Sequence, residues 1–471
     1  MSVSERTILL VIIVCCISLM LGFLLKGRCL APDAYSGPQY SELCYNDIQP
    51  LFSIRSVQDD TFPYIDGEFT PDQQLIGGAI EYPVLTGVFM WAAGLLVDDG
   101  NAYLRVTALL LAPFALVSAY VLARMAGRQA ILFAASPAIV FYAFHNWDLL
   151  VVAATIAGLW SWYRGRPVWA AVWFGVGAAL KLNPILLVAP LALEVWWRHR
   201  GRPKDEESDL PWIVVAVLGA GACFSLQQSV DTGIGHWAAL VGLVVALAMG
   251  AYFTIRYSHD GRYREAVSVL VAGVGTAIGL NLPFMLVNFD GWWATYEFHR
   301  VRVPNFDSIW NLAASRYGSL GFIQMPDLNL TVAVVTLATF VVALAYGLRR
   351  AQREGVYPFL GVGAALLASF MLWNKVHSPQ YTLWILPFFV LLNISWLWWA
   401  AYTIVDAVAY VGIFRWFFDI VFLGQTEWTA AKWAMVTSVW VRAALLLVLI
   451  VVFLRANPVR GPDEIVPASP A

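Results

Sequence analysis

Apolar runs of about 15 to 25 residues recur along nearly the whole chain, divided by short polar stretches, from Thr7–Leu25 at the start to a last run closing at Leu454. Crossing the hydrocarbon core of a bilayer takes about 20 apolar residues in a helix. Within lipid an open chain can satisfy its backbone polar groups only as helix. The pattern therefore predicts an all-α polytopic membrane protein with about 14 transmembrane helices. Short, closely spaced apolar segments over 129–198 and 380–423 make this count the least sharp part of the reading. Thr7–Leu25 is long enough to span, and no small-x-small cleavage motif follows it before Lys26-Gly27-Arg28, so it predicts a retained first helix.

The polar interruptions fall into two kinds. Lys and Arg concentrate at Arg124–Arg128, Arg164–Arg166, Arg198–Lys204, Arg256–Arg264, Arg349–Arg353 and Arg455–Arg460. Between them lie basic-poor connections around Asn146–Asp148, Lys181–Pro184, Gln227–Gly235, Asp290–Asn329 and Asn374–Tyr381. The positive-inside rule assigns the first kind to the cytoplasm and the second to the outer face. The alternation closes only if Pro83–Val97 does not cross. Counted as a span, it would put Arg124–Arg128 outside and invert every later cluster. It is also short for a crossing, so it reads as a re-entrant or juxtamembrane helix. The expected layout is a multi-pass cell-membrane protein with both termini cytoplasmic. Its main module covers 1–400, with a first outer loop at 27–101 and a second at 289–330. Further transmembrane helices fill 401–455, and 456–471 is expected to be a disordered cytoplasmic tail.

Composition agrees: the chain is 60% hydrophobic and 13% charged, where soluble domains carry about a quarter charged residues. With a net charge of −2 and no dense basic tract, nucleic acid is not an expected partner. The 22 Trp suit the membrane–water interfaces. The five Cys do not form a disulfide scaffold. Cys15, Cys16 and Cys223 lie in apolar segments, whereas Cys29 and Cys44 share the first outer loop. Outside the cytoplasm these two can pair, but the spacing alone leaves a disulfide and two separate thiols equally open.

Chemistry gathers in the connections assigned to the outer face. From Gly27 to Tyr82 the loop carries Asp33, Glu42, Asp47, Asp59, Asp60, Asp66, Glu68, Asp72 and Glu81 against Arg28 and Arg55. Its length and its Tyr, Phe and Leu content predict a folded loop with short helices lying on the membrane. Asp47 stands at the start of an amphipathic stretch. It can cap backbone N–H groups there, or take a proton from an acceptor hydroxyl. Glu81-Tyr82-Pro83 opens the next short helix, with Pro at its first turn. Lys181, Lys375 and His377 stand at membrane depth, where an ionisable group marks a candidate site. Together they suit a phosphate. The plainer alternative is snorkelling or a local ion pair, such as Lys181 with Asp148. In the second loop Trp292, Trp293, Tyr296, His299, Arg300, Arg302, Asp307 and Trp310 fit carbohydrate stacking and phosphate pairing, or an interfacial belt.

These stretches, in this order, resemble the GT-C superfamily of polyprenyl-phosphate-sugar-dependent glycosyltransferases, and within it glycosyltransferase family 87. The residues that carry the resemblance are Asp47 after the first helix, Tyr82-Pro83-x-Leu85, Asn146-Trp147-Asp148, Lys181-Leu182-Asn183-Pro184 and Asn374-Lys375-Val376-His377-Ser378-Pro379-Gln380-Tyr381. The last is also similar to a stretch of the eukaryotic GPI-anchor mannosyltransferases. The resemblance implies inverting transfer of a sugar, mannose or arabinose, from a polyprenyl-phosphate donor to a cell-envelope lipid or glycan acceptor on the outer face. Asp47 then corresponds to the general base. Lys181, Lys375 and His377 become candidates for the donor phosphate. Glu81, Tyr82, Asn146, Asp148, Arg300, Arg302, Gln380 and Tyr381 complete the expected substrate-binding set. No Asp-x-Asp pair stands at position 47, so no cofactor is expected and a divalent metal finds no support. Two other functions fit the spans: a transporter or flippase of lipid-linked sugars, which would not need Asp47 chemically, and a membrane scaffold, which leaves Lys181 and Lys375 unexplained.

Overall fold

The first apolar run folds as α1 (Glu5–Gly27), opened by Ser4, whose hydroxyl accepts the Thr7 N–H. A computed structural model describes residues 3–31, 34–199, 261–314, 325–425 and 427–459 of the chain. Asp33, Cys223, Lys204, Arg256, the Gln227–Gly235 connection and the tail from Arg460 lie outside the described residues. Among the described residues almost everything is helix; the one sheet is a hairpin of β1 (Glu68–Phe69) and β2 (Leu75–Ile76).

Four short helices follow α1 or interrupt the bundle: α2 (Pro38–Ser41), α3 (Ile48–Ile54), α4 (Val84–Gly94) and, after α5 (Gly100–Ala126), α6 (Ile131–Ala134). Next come α7 (Pro137–Tyr142), α8 (Asp148–Tyr163), α9 (Pro167–Leu180) and α10 (Val188–Arg198). Beyond residue 260 lie α11 (Gly261–Val287), α12 (Phe289–Val301), α13 (Ile309–Ala314), α14 (Met325–Glu354) and α15 (Phe359–Trp373). The last three are α16 (Thr382–Leu391), α17 (Trp396–Val421) and α18 (Ala430–Arg455). Among the described residues, five segments are long and apolar enough to cross a membrane: Glu5–Leu30, Gly100–Ala134, Tyr263–Val287, Leu328–Glu354 and Ala430–Arg455. The chain is a helical, membrane-embedded protein.

Two ends of the bundle differ in chemistry. At one, Gln129 beyond α5 donates to the Phe389 and Leu392 carbonyls at the end of α16. Arg350 of α14 donates to the Leu454 and Ala456 carbonyls at the end of α18. The Trp197 indole of α10 donates to the Gly355 carbonyl beyond α14. Arg124–Arg128, Arg198, Arg349–Arg353 and Arg455 thus gather where helix C-termini leave carbonyls unpaired, which cations favour. The other end collects the end of α1, the starts of α5, α8 and α16, and the ends of α9 and α15 around one cavity.

The first loop is folded over that cavity end. A disulfide joins Cys29 to Cys44. Gln49 ties the base of the loop by donating to the Cys29 carbonyl and to Asn101 Oδ1 at the start of α5. At 11 residues, α4 is about 16 Å long, half of what a crossing needs. Thr86 in its first turn donates to the Leu180 carbonyl at the end of α9. From the side, α12 clamps the loop: Asn288 donates to the Ile65 and Gly67 carbonyls and Thr295 to the Ile80 carbonyl.

Two expected boundaries move. The second loop, expected over 289–330, is largely helical in its described part, because α12 and α13 occupy it and Asn329 already belongs to α14. The closing pair of helices begins at Trp396 rather than 401. Phe414 and Phe417 of α17 line the cavity, and Arg442 of α18 pairs with Asp307 at its wall.

Candidate functional site

Backbone hydrogen bonding decides what Asp47 can do. A free N–H in the first turn of α3 is taken by Asn46, whose Oδ1 accepts the Gln49 N–H at 2.9 Å. The Asp47 carboxylate makes no cap bond. Its own N–H donates to the His145 carbonyl at 2.7 Å, fixing the residue against the α7–α8 turn. The carboxylate is thereby turned into a cavity of about 830 Å³. Burial pushes the Asp47 carboxyl up to about 6, against a hydrogen bond from Tyr45 and the charges of Lys181 and Arg302, with Glu81 adding to the rise.

Lys181 ends α9 inside the same cavity and is held. Its ammonium donates to both oxygens of Asp148 at 2.7 Å, and the Trp384 indole donates to Asp148 Oδ1 at 2.6 Å. The rings of Tyr82, Tyr381 and Trp384 surround the ammonium at 5.3, 5.8 and 5.4 Å, within cation–π range. Of the two sequence readings for Lys181, the local ion pair is the one the geometry holds.

Arg302 and Lys375 differ. Arg302 follows α12, donates to Asn305 Oδ1 at 3.3 Å and lies over the Phe298 ring. Lys375 follows α15 and donates to the Arg300 carbonyl at 2.8 Å. Both line the cavity, and neither meets a carboxylate among the described residues. Burial lowers the Lys375 ammonium below its usual range, helped by Arg300 and Arg302 nearby. Neutral oxygen partners beside two cations leave room for an anion.

The remaining expected residues divide. Glu81 lines the cavity, paired with Arg55 at 2.6 Å, and Tyr82, Gln380 and Tyr381 line it too. Three do not. His377 is buried behind the wall, its Nδ1 against the Met371 carbonyl, and burial with Arg442 close by keeps it neutral, so it is not the third cation. Asn146 is buried and serves the start of α8, its Oδ1 accepting the Asp148 N–H. Arg300 lies outside on the surface, paired with Glu297. The two arginines of the second loop thus differ: Arg300 has a carboxylate partner, and Arg302 has none among the described residues.

Sequence reasoning passed over one network. Arg442 donates to the Asp307 carbonyl at 2.7 Å and reaches Asp307 and Asp406 carboxylates at 3.4 and 3.5 Å, while Tyr142 donates to Asp406 at 2.8 Å. Asp307 lines the cavity, and burial raises its carboxyl to about 6. Asp406 and Arg442 stood out as single charges within apolar runs, which was the available signal. Among the described residues no group of three or more His, Cys, Asp or Glu comes together as a metal cage. No family model, no curated protein and no solved structure matches the chain.

Proposed function

We propose that the chain is a membrane glycosyltransferase of GT-C type, similar to family 87, which moves a sugar from a polyprenyl-phosphate donor to a lipid or glycan acceptor. One observation carries this reading. An uncapped carboxylate, Asp47, shares one cavity with two uncompensated cations, Arg302 and Lys375, at the end of an apolar bundle. Inverting transfer needs a base on the acceptor side and positive charge on the leaving side. Asp47 takes the proton of the acceptor hydroxyl as its oxygen attacks the anomeric carbon. The bond from that carbon to the phosphate oxygen breaks, and its electron pair leaves with the polyprenyl phosphate, whose charge Arg302 and Lys375 offset. The aromatic lining (Tyr82, Tyr296, Tyr381 and Trp384) suits the apolar faces of sugar rings.

A lipid-borne donor accounts for a cavity with charged groups at a bundle end and, among the described residues, no soluble nucleotide-sugar domain beside it. We take the chain to cross the membrane about 14 times, with the basic end cytoplasmic and the cavity outside by the positive-inside rule. Mannose or arabinose is the proposed sugar. Purified protein, incubated with a panel of polyprenyl-phosphate sugars and envelope acceptors, tests the reading. Asp47→Asn is expected to lower transfer by about 100- to 10,000-fold while leaving insertion intact. Unchanged transfer by this variant would remove Asp47 as the base. Movement of lipid-linked sugar between leaflets without a new glycosidic bond would favour the transporter instead.

A further inference from the structure

Lys26 closes α1 with a fully buried ammonium that no carboxylate touches by hydrogen bond. Its three hydrogens have three partners: the Tyr45 carbonyl at 2.6 Å, the Tyr410 hydroxyl at 2.9 Å and His145 Nδ1 at 3.2 Å. With Lys26 protonated, the direction of each bond follows. Tyr410 gives its own proton to the Leu43 carbonyl at 2.6 Å, so towards Lys26 it can only accept. The Tyr45 carbonyl, which also lies beside the imidazole, can only accept as well. An ammonium offers no lone pair, so the ring nitrogen facing it must supply one. A proton on Nδ1 would set two N–H groups head to head. A doubly protonated ring beside Lys26 is disfavoured by burial and by like charge.

Beside a protonated Lys26 the imidazole is therefore neutral, with its proton on Nε2. The ring lines the cavity, against Tyr45 and Phe414, and Nε2 has no partner among the described residues. The His145 carbonyl meanwhile accepts the Asp47 N–H, so ring and carboxylate are held by one turn. We propose that His145 presents a fixed Nε2–H donor beside Asp47 to an uncharged sugar oxygen, hydroxyl or ether, and that Lys26 is the positioning residue that sets this tautomer. An uncharged donor among rings suits a neutral oxygen, whereas a phosphate finds Arg302 and Lys375. The ligand class rests on the sugar-transfer reading; the tautomer does not.

Two substitutions separate the ring nitrogens. Gln carries an amide N–H at the reach of Nε2, whereas Asn carries a polar atom only near Nδ1, facing Lys26. His145→Gln is expected to keep acceptor kcat/KM within about tenfold, and His145→Asn to lose about 100-fold or more, the usual cost of one oriented donor. Equal loss in both, full activity in both, or the reverse order would overturn the proposal. A second measurement is independent of activity. With 15N-labelled histidine, the signal absent from His145→Gln protein is expected to show an unprotonated Nδ1 and a protonated Nε2, and the opposite assignment overturns the Lys26 arrangement. If wild-type protein transfers no sugar from any polyprenyl phosphate, the transfer reading and the ligand class fall together. The nitrogen signals still decide the tautomer.

Discussion

Lys181 and Arg302 line the same cavity and differ in what holds them there. Lys181 is neutralised by Asp148, a carboxylate with no solvent exposure, and is boxed by three rings. Arg302 has an amide oxygen, a ring face and no carboxylate among the described residues. A cation already satisfied by a buried partner contributes to holding α8, α9 and α16 together. A cation satisfied only by neutral groups retains attraction for an anion that arrives later.

The largest expected effect tests the first half of this contrast. Lys181→Met leaves Asp148 buried and unpaired and is expected to cost about 3–5 kcal/mol of stability. Chemical unfolding in detergent would measure it, and adding Asp148→Leu should recover much of the loss. If the single variant is as stable as wild type, Lys181 is not structural and the contrast breaks. The next effect tests the second half. Arg302→Gln is expected to raise the donor KM about 10- to 100-fold, the worth of a charge-assisted hydrogen bond, with little change in unfolding. A stability loss without a change in donor KM would make Arg302 another structural cation.

The smallest effect concerns pH. Asp47 acts as a base only when deprotonated, and its carboxyl is raised to about 6. Activity is therefore full well above pH 6 and falls as pH drops through that value, about tenfold per unit below it. Asp307 is raised to about 6 as well, so the acid limb is expected to persist in Asp307→Asn. Its disappearance there would assign the limb to the Asp307–Arg442 network.

Much of this was legible in the chain. Apolar run length gives helices in a membrane, and the distribution of Arg gives a basic end. The 15 residues from Pro83 identify a segment too short to cross, and α4 is shorter still. Asp47, Glu81, Tyr82, Lys181, Arg302, Lys375, Gln380 and Tyr381 all line the cavity. What was not legible depends on partners remote in sequence. The cap of α3 is the local exception: Asn46 and Asp47 are adjacent and both can cap, and only the folded backbone gives the bond to Asn46. His377 reads as a cation because its burial behind α15 is a tertiary fact. Lys26 reads as a helix flank because Tyr410, which completes its hydrogen bonding, lies 384 residues away.

Tyr64 gives the first loop one further property. Its hydroxyl donates to the Tyr82 carbonyl at 2.7 Å and lies where a Cβ on Gly87 of α4 would be, while its carbonyl lies where a Cβ on Gly291 of α12 would be. Any side chain at either glycine would push the loop away from its helix. The side chains of Asp59, Asp66, Glu68 and Asp72, by contrast, stand in solvent. Variation in this loop should therefore be sharply uneven along its length. Its acidic outer positions are open to drift, and Gly87, Tyr64 and Gly291 can change only together.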